Sequence, residues 1–139
     1  MMNLDFKLLP NGILPIKSRV GDAGYDIFLP DDVIISANNT SVIDSGVCVK
    51  IPENYAGMMV IRSSIAKTGL IIQPPLIDSN YTGEIHIIVT NPTNTDFKFK
   101  RGERICSLLV FPIFSGLNRL VDELPETNRG SNWSGSSGK

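Results

Sequence analysis

The chain has 139 residues, a formal net charge of −1, 42% hydrophobic and 19% charged residues. That suits one compact domain with enough apolar material for a core, and it excludes a disordered or low-complexity class. With no basic excess, nucleic-acid binding is not expected, and with no stretch near ~20 apolar residues, neither is a membrane partner.

In chain order, short stretches rich in β-branched residues predict strands over Asp5–Leu9, Tyr25–Leu29, Val33–Ser36, Ser41–Ile43, Val47–Ile51, Gly57–Arg62, Leu70–Gln73, Glu84–Asn91, Asp96–Lys100 and Ile105–Ile113. Turn residues separate them, among them Pro10-Asn11-Gly12, Pro30-Asp31-Asp32 and Pro52-Glu53-Asn54. The spacing is that of an all-β antiparallel sandwich or barrel, not of βαβ units. One short segment, Ser63–Lys67, predicts a single helical turn, capped by Ser63 or Ser64 and ended by Gly69. The β domain spans 1–125. Residues 126–139 are rich in Gly, Ser and Asn with a lone Trp, and by composition read as a flexible tail or a fusion scar. Cys48 and Cys106 lie in apolar stretches and read as two buried free thiols, with a disulfide as the alternative. No signal-peptide run is seen at Met1–Lys7, so a cytoplasmic location is expected, or the host-cell cytoplasm for a viral chain.

Four stretches can carry chemistry. Asp22-Ala23-Gly24-Tyr25-Asp26 is a turn with solvated acids or, alternatively, places Asp26 in a metal site. Arg62-Ser63-Ser64 puts a guanidinium and two hydroxyls at a helix start, which is either a capped turn or a phosphate cradle. Pro74–His86 reads as a hairpin around Asp78-Ser79-Asn80-Tyr81. Asp78 follows apolar Leu76-Ile77, so it is expected to be partly shielded, as an Asx-turn acid or as a general base. His86, the single histidine, lies between Ile85 and Ile87 and reads first as a surface or packing residue. Arg101–Leu109 is a charged turn entering an apolar strand. There is no Walker, GxGxxG, HExxH or GxSxG motif.

Taken in order, these stretches resemble the five motifs of the trimeric dUTPase family. Asp22–Asp26 is similar to its AGYD motif, and Arg62–Leu70 to RSGLAxxxGL in an RSS variant. Leu76–Glu84 is similar to GVIDxxYRGE, Gly102–Leu108 to GDRIAQL, and Arg129–Gly138 to the Gly-rich tail RGxGGFGSTG. Each motif is weak alone, but five in sequence order across nearly the whole chain are specific.

The resemblance implies a distorted jelly roll of β-clip type, β-barrel-like, with a swapped C-terminal tail and a homotrimer whose sites are shared between subunits. It implies hydrolysis of dUTP at the α-phosphate to dUMP and pyrophosphate with Mg²⁺. Asp78 would be the base activating a water, and Asp26 would hold the ion through water. Arg62, Ser63 and Ser64 would bind phosphates, with Arg129, Gly135 and Ser136 reaching the substrate from the tail. Tyr81 would pack under deoxyribose and exclude a 2′-hydroxyl. The backbone at Pro75, Leu76, Ile77 and His86 would read the uracil edge, and Trp133 would stack on the base.

The chain departs from the family pattern in several places. Pro74-Pro75 replaces the usual Gly-Gly, so Pro75 offers a carbonyl but no N–H. Ser107 stands where a phosphate-binding Gln is usual. Trp133 comes one position before the usual Phe, and Thr82 replaces Arg. Two other functions fit the same residues: a dCTP deaminase or bifunctional dCTP/dUTP enzyme, and a non-catalytic regulatory or binding protein on this scaffold.

Overall fold

The computed structural model describes residues 2–133. Among these residues nine strands run β1 (Asp5–Leu8), β2 (Gly24–Phe28), β3 (Val33–Ile35), β4 (Asn39–Lys50), β5 (Tyr55–Ile61), β6 (Ile71–Ile72), β7 (Glu84–Asn91), β8 (Phe97–Phe99) and β9 (Arg104–Pro112), with one short helix, α1 (Ser63–Ala66). They form a four-stranded sheet in the order β1-β4-β7-β6, a three-stranded sheet β2-β9-β5 and a pair β3-β8, and every pairing is antiparallel. The sheets close on one core without forming a closed barrel, which makes the fold a distorted jelly roll.

Alternation sets which faces are buried. On β7, Ile85, Ile87 and Val89 enter the core while His86 stays exposed. They meet Val47 and Val49 of β4, Ile27 of β2 and Ile105 and Leu108 of β9. Cys48 and Cys106 are both buried and free. Burial, and then the Asp26 charge, push the Cys106 thiol up to about 12, so it is an inert core residue.

Three local expectations need correction. Ser41–Ile43 and Val47–Ile51 are one continuous strand, β4, with a bulge between them. Along the pairing, β4 advances from Asp44 to Cys48 while β7 advances only from His86 to Glu84. The bulge's polar groups are satisfied in place. The Glu84 carboxylate accepts the Gly46 N–H at 2.8 Å, and Ser45 Oγ accepts the Val47 N–H at 3.1 Å. The chain can therefore continue as strand across Asp44-Ser45-Gly46, between the two strands expected separately. The α1 cap is Arg62, in extended conformation and without a side-chain cap bond, so Ser63 and Ser64 lie inside the first turn. Gly69, at φ +92°, lies just past the helix, as expected. The strand expected over Leu70–Gln73 is only β6, and a long loop separates it from β7.

β9 ends at Pro112, and residues 113–133 run on without strand or helix. Phe114, Leu117 and Leu120 are at least 90% exposed along this stretch.

The bulge depends on a close glycine pair. Gly46 has φ +70°, and a Cβ there would lie 2.7 Å from Gly12 Cα. Its carbonyl accepts the Leu9 N–H at 2.9 Å, which docks the end of β1. Gly46→Ala is expected to cost about 2 kcal/mol or more, read as a lower melting temperature at fixed protein concentration. An unchanged melt would show that this approach is dispensable.

Candidate active site

The site is built around one buried carboxylate. β2 and β9 pair with Asp26 opposite Ser107, and a bulge after Ile27 brings Arg104 opposite Phe28. Ser107 Oγ donates to Asp26 Oδ1 at 2.9 Å, and Arg104 Nη1 donates to Oδ2 at 2.7 Å. The Asp26 N–H donates to the Ile16 carbonyl at 2.8 Å, which draws in the segment carrying Ser18. Ser18 Oγ then donates to Oδ2 at 2.7 Å. Arg62, directly after β5, is tied by its N–H to the Ile105 carbonyl at 3.1 Å, and its Nε lies 3.8 Å from Asp26 Oδ1. The Arg104 guanidinium also sits over the Phe28 ring, 5.6 Å from its centroid.

A cleft of about 530 Å³ opens beside this network, lined by Ser18, Arg19, Asp22, Asp26, Arg62, Ser63, Arg104 and Ser107 among others. Burial pushes the Asp26 carboxyl up. Hydrogen bonds from Ser18, Ser107 and Arg104, with the Arg104 charge, outweigh it and hold the group below the usual carboxylate range. Arg19 is presented by a turn in which Asp22 Oδ2 accepts the Arg19 N–H at 2.8 Å. Among the described residues, the Arg19 guanidinium has no internal partner, and neither do the Ser63 and Ser64 hydroxyls. Three arginines thus face two acids that are already engaged. The cleft favours an anion with several acceptor oxygens, such as a phosphate chain.

For a divalent cation the same geometry is restrictive. Both Asp26 oxygens accept hydrogen bonds, and two guanidinium groups lie beside them. This donor set does not fit an inner-sphere ion on Asp26, and it fits magnesium only as a hydrated ion that Asp26 would hold through water.

The other expected site residues stand elsewhere on the chain. Asp78 lies on the β6–β7 loop and is exposed, not shielded as expected, because only Ile77 before it turns inward. Ile77 exchanges both backbone bonds with Gly57, at 2.9 and 2.7 Å, so its main chain is already occupied. The Tyr81 hydroxyl donates to the Glu84 carbonyl at 2.7 Å, and its side chain covers Gly83, where a Cβ would meet the hydroxyl oxygen at 2.7 Å. Leu76 is 64% exposed. The His86 side chain faces away from the core, with Nδ1 3.1 Å from Asp44 Oδ1 and Glu84 nearby. Arg129 folds onto its own tail, bonding the Asn132 and Trp133 carbonyls, and Trp133 is 83% exposed. Gly135 and Ser136 lie outside the described residues.

The His86 backbone is placed differently from its side chain. Gln73 N–H donates to the Ile88 carbonyl at 2.8 Å, so Ile88 and, two residues on, His86 turn their polar groups toward the loop. The β6–β7 register sets Ile72 opposite Val89, and the same register continued beyond β6 would bring Pro75 opposite His86. Pro75 has no N–H, and no rung forms there among the described residues. By alternation the His86 N–H and C=O face this side of β7, away from β4.

The dUTPase family profile matches residues 11–138. The chain belongs to the dUTPase family. It is 34% identical over 133 residues to the deoxyuridine 5'-triphosphate nucleotidohydrolase of Paramecium bursaria Chlorella virus 1, covering 95% of this chain and 94% of that protein. Among solved structures, a Staphylococcus bacteriophage 80alpha dUTPase mutant with dUpNHpp superimposes with a TM-score of 0.93, at 29% identity and with all of both chains covered. A dUTPase mutant from S. aureus phage phi11, described for its structural Mg(II) ion, gives 0.82 at 25% identity, covering 88% of this chain and 98% of that one.

Against the family's five motifs, one chain of this dUTPase family member brings Asp26, Arg62, Ser63 and Ser107 into the cleft. It does not bring Asp78, Tyr81, Arg129 or Trp133 there. Ser18, Arg19 and Arg104 escaped the sequence reading. Arg104 lies in the fourth stretch, but the bulge that turns it toward Asp26 leaves no trace in the pattern. For Arg19 the Arg-x-x-Asp spacing is a legible turn signal.

Because Asp26 has a depressed folded pKa, its stabilisation is present above the unfolded value of about 3.9 and is lost as pH falls through the folded one. Asp26→Asn is expected to lower stability at neutral pH by about 3 kcal/mol. The gap to wild type should narrow as melts are run from about pH 5 down to pH 3. A gap independent of pH would show that the charge of Asp26 contributes nothing.

Proposed function

We propose that this chain hydrolyses dUTP to dUMP and pyrophosphate. The observation that carries the base assignment is the open rung at Pro75 and His86. It presents one donor and one acceptor, which matches the carbonyl and imide N–H of a uracil edge. The arginine-lined cleft supplies the complementary half, a cradle for the triphosphate.

In this reading the Asp78 carboxylate takes a proton from water. The water oxygen bonds to the α-phosphorus, the bond from that phosphorus to the bridging oxygen breaks, and pyrophosphate leaves with the electron pair. Asp78 suits the task because its carboxylate is exposed and has no hydrogen-bond or ion-pair partner among the described residues. Arg19, Arg62 and Arg104 face the phosphates, and the free Ser63 and Ser64 hydroxyls add donors. Asp26, with Asp22 beside it, would hold magnesium through water. When bound, that ion supplies charge neutralisation on the phosphate oxygens. The Tyr81 ring, pinned by its hydroxyl to Glu84, packs against the sugar and leaves no room for a 2′-hydroxyl.

Hairpin, cleft and tail stand apart on one chain, so a complete site needs more than one copy. We assign it to a homotrimer in which each site takes these parts from different subunits. The bare Phe114, Leu117 and Leu120 support this, since such apolar surface ordinarily finds cover.

Asp78→Asn should lower kcat for dUTP by about 10²-fold or more while leaving dUTP binding within a few-fold, measured by pyrophosphate release and calorimetry. Full activity in the variant would remove Asp78 from the chemistry. Deleting residues 129–139 should depress turnover yet preserve the assembly by light scattering. Unchanged turnover would refute a role for the tail in closing the site.

A further inference from the structure

The face of β7 that turns away from the core carries donors that the arginine cleft does not use. Glu84 and His86, two positions apart, project on that one face. His86 stands directly opposite Asp44 of β4. Because the His86 N–H and C=O face away from β4, this is a non-hydrogen-bonded pair, the kind whose side chains approach most closely. His86 Nδ1 lies 3.1 Å from Asp44 Oδ1. One ligand atom from each of Asp44, Glu84 and His86 lies within 4.8 Å of the other two.

The electrostatics are the reverse of those at Asp26. There, three side chains saturate the carboxylate and guanidinium groups flank it. Here, among the described residues, no Lys or Arg forms an ion pair with Asp44 or Glu84. Two carboxylates and an imidazole thus stand together without a cation. Glu84 is also held from outside the trio. One of its carboxylate oxygens accepts the Gly46 N–H at 2.8 Å, and the other has no donor among the described residues. A bond of that kind orients a ligating carboxylate, and the β4 bulge is what aims the Gly46 N–H. The Asp44 and His86 side chains are 76% and 41% exposed, so an ion can enter from solvent.

We propose that Asp44, Glu84 and His86 form a binding site for a transition-metal dication of the zinc class, with water completing the coordination. An imidazole nitrogen suits zinc, whereas magnesium and calcium take oxygen sets. Zinc bonds of about 2.0–2.2 Å place ligand atoms about 3.3 Å apart. Asp44 and His86 are already near that separation, and rotation of their exposed side chains closes the set on Glu84. The ion replaces the proton between Nδ1 and Oδ1, which the neutral ring then carries on Nε2. Bound there, it cross-links β4 to β7 beside the bulge and stabilises the folded chain by mass action. The site is separate from the cleft and stands whether or not the chain hydrolyses dUTP.

The test uses the full chain, freed of metal by a chelator and without nucleotide. Zinc chloride is titrated by calorimetry, with magnesium in excess. His86 is the single histidine and both cysteines are buried, so the His86 ring protons are an unambiguous NMR probe. One zinc per chain is expected, with a higher melting temperature, and cobalt(II) should broaden the His86 ring resonances. Asp44→Asn and His86→Gln should each weaken zinc binding about tenfold or more and remove the rise in melting temperature. Glu84→Gln should do the same, and Asp44→Asn, on an exposed side chain, separates loss of the metal from loss of the fold. The proposal fails if no zinc binds or if excess magnesium displaces it. It fails equally if Asp44→Asn and His86→Gln bind zinc as tightly as the wild type, which would mean an adventitious ion only, or if cobalt leaves the His86 resonances sharp.

Discussion

A carboxylate on a side chain only 13% exposed needs partners, and Asp26 has three hydrogen-bond donors and a second guanidinium beside it. The requirement fixes much around it. It docks the Ser18 segment on the edge of β2, sets the direction of Arg104 at the start of β9, and keeps Arg62 over the cleft. It also decides what the cleft can bind. A satisfied carboxylate between guanidinium groups is a poor inner-sphere ligand for a cation, but it organises cationic groups that suit a phosphate chain. The same group thus acts as a structural charge and as a template for the anion site.

A second constraint is the absence of one donor. An antiparallel hairpin ladder continues until a residue cannot supply its rung, and Pro75 is such a residue. The loop peels away from β7 there, and the His86 main chain stays open toward it. Farther along, Ile77 re-attaches to Gly57 on β5, so the opening is bounded on both sides. In the proposed reading, the recognition edge is therefore supplied by β7 and not by residue 75.

The loop that carries Asp78 is held between β5, where Ile77 pairs with Gly57, and β4. Glu84 grips the β4 bulge, Lys50 grips the Ser79 carbonyl, and the Tyr81 hydroxyl closes back on Glu84. A rigid sheet thereby holds an exposed turn without burying it. That suits a group which has to meet a substrate bound on another copy of the chain, as in the proposed trimer.

The strand content was legible because β-branched runs between turn residues have few other solutions, and Cys48 and Cys106 announced their burial by their apolar neighbours. The motif residues of the cleft were legible as chemical types. The unbroken β4 was not, because its bulge is satisfied by Glu84, 38 positions away. Nor was the Arg62 cap, since a serine beside a helix start gives the same signal whether it caps or stands free. Arg104 joined the site through bonds to Asp26 and Ser18 spanning 78 and 86 positions. By itself the sequence determined which segments extend, where they turn and which functional groups the chain carries. Only the tertiary structure decided which groups meet and which stay apart, because side-chain direction follows register and bulges, and those are set by contacts between distant strands.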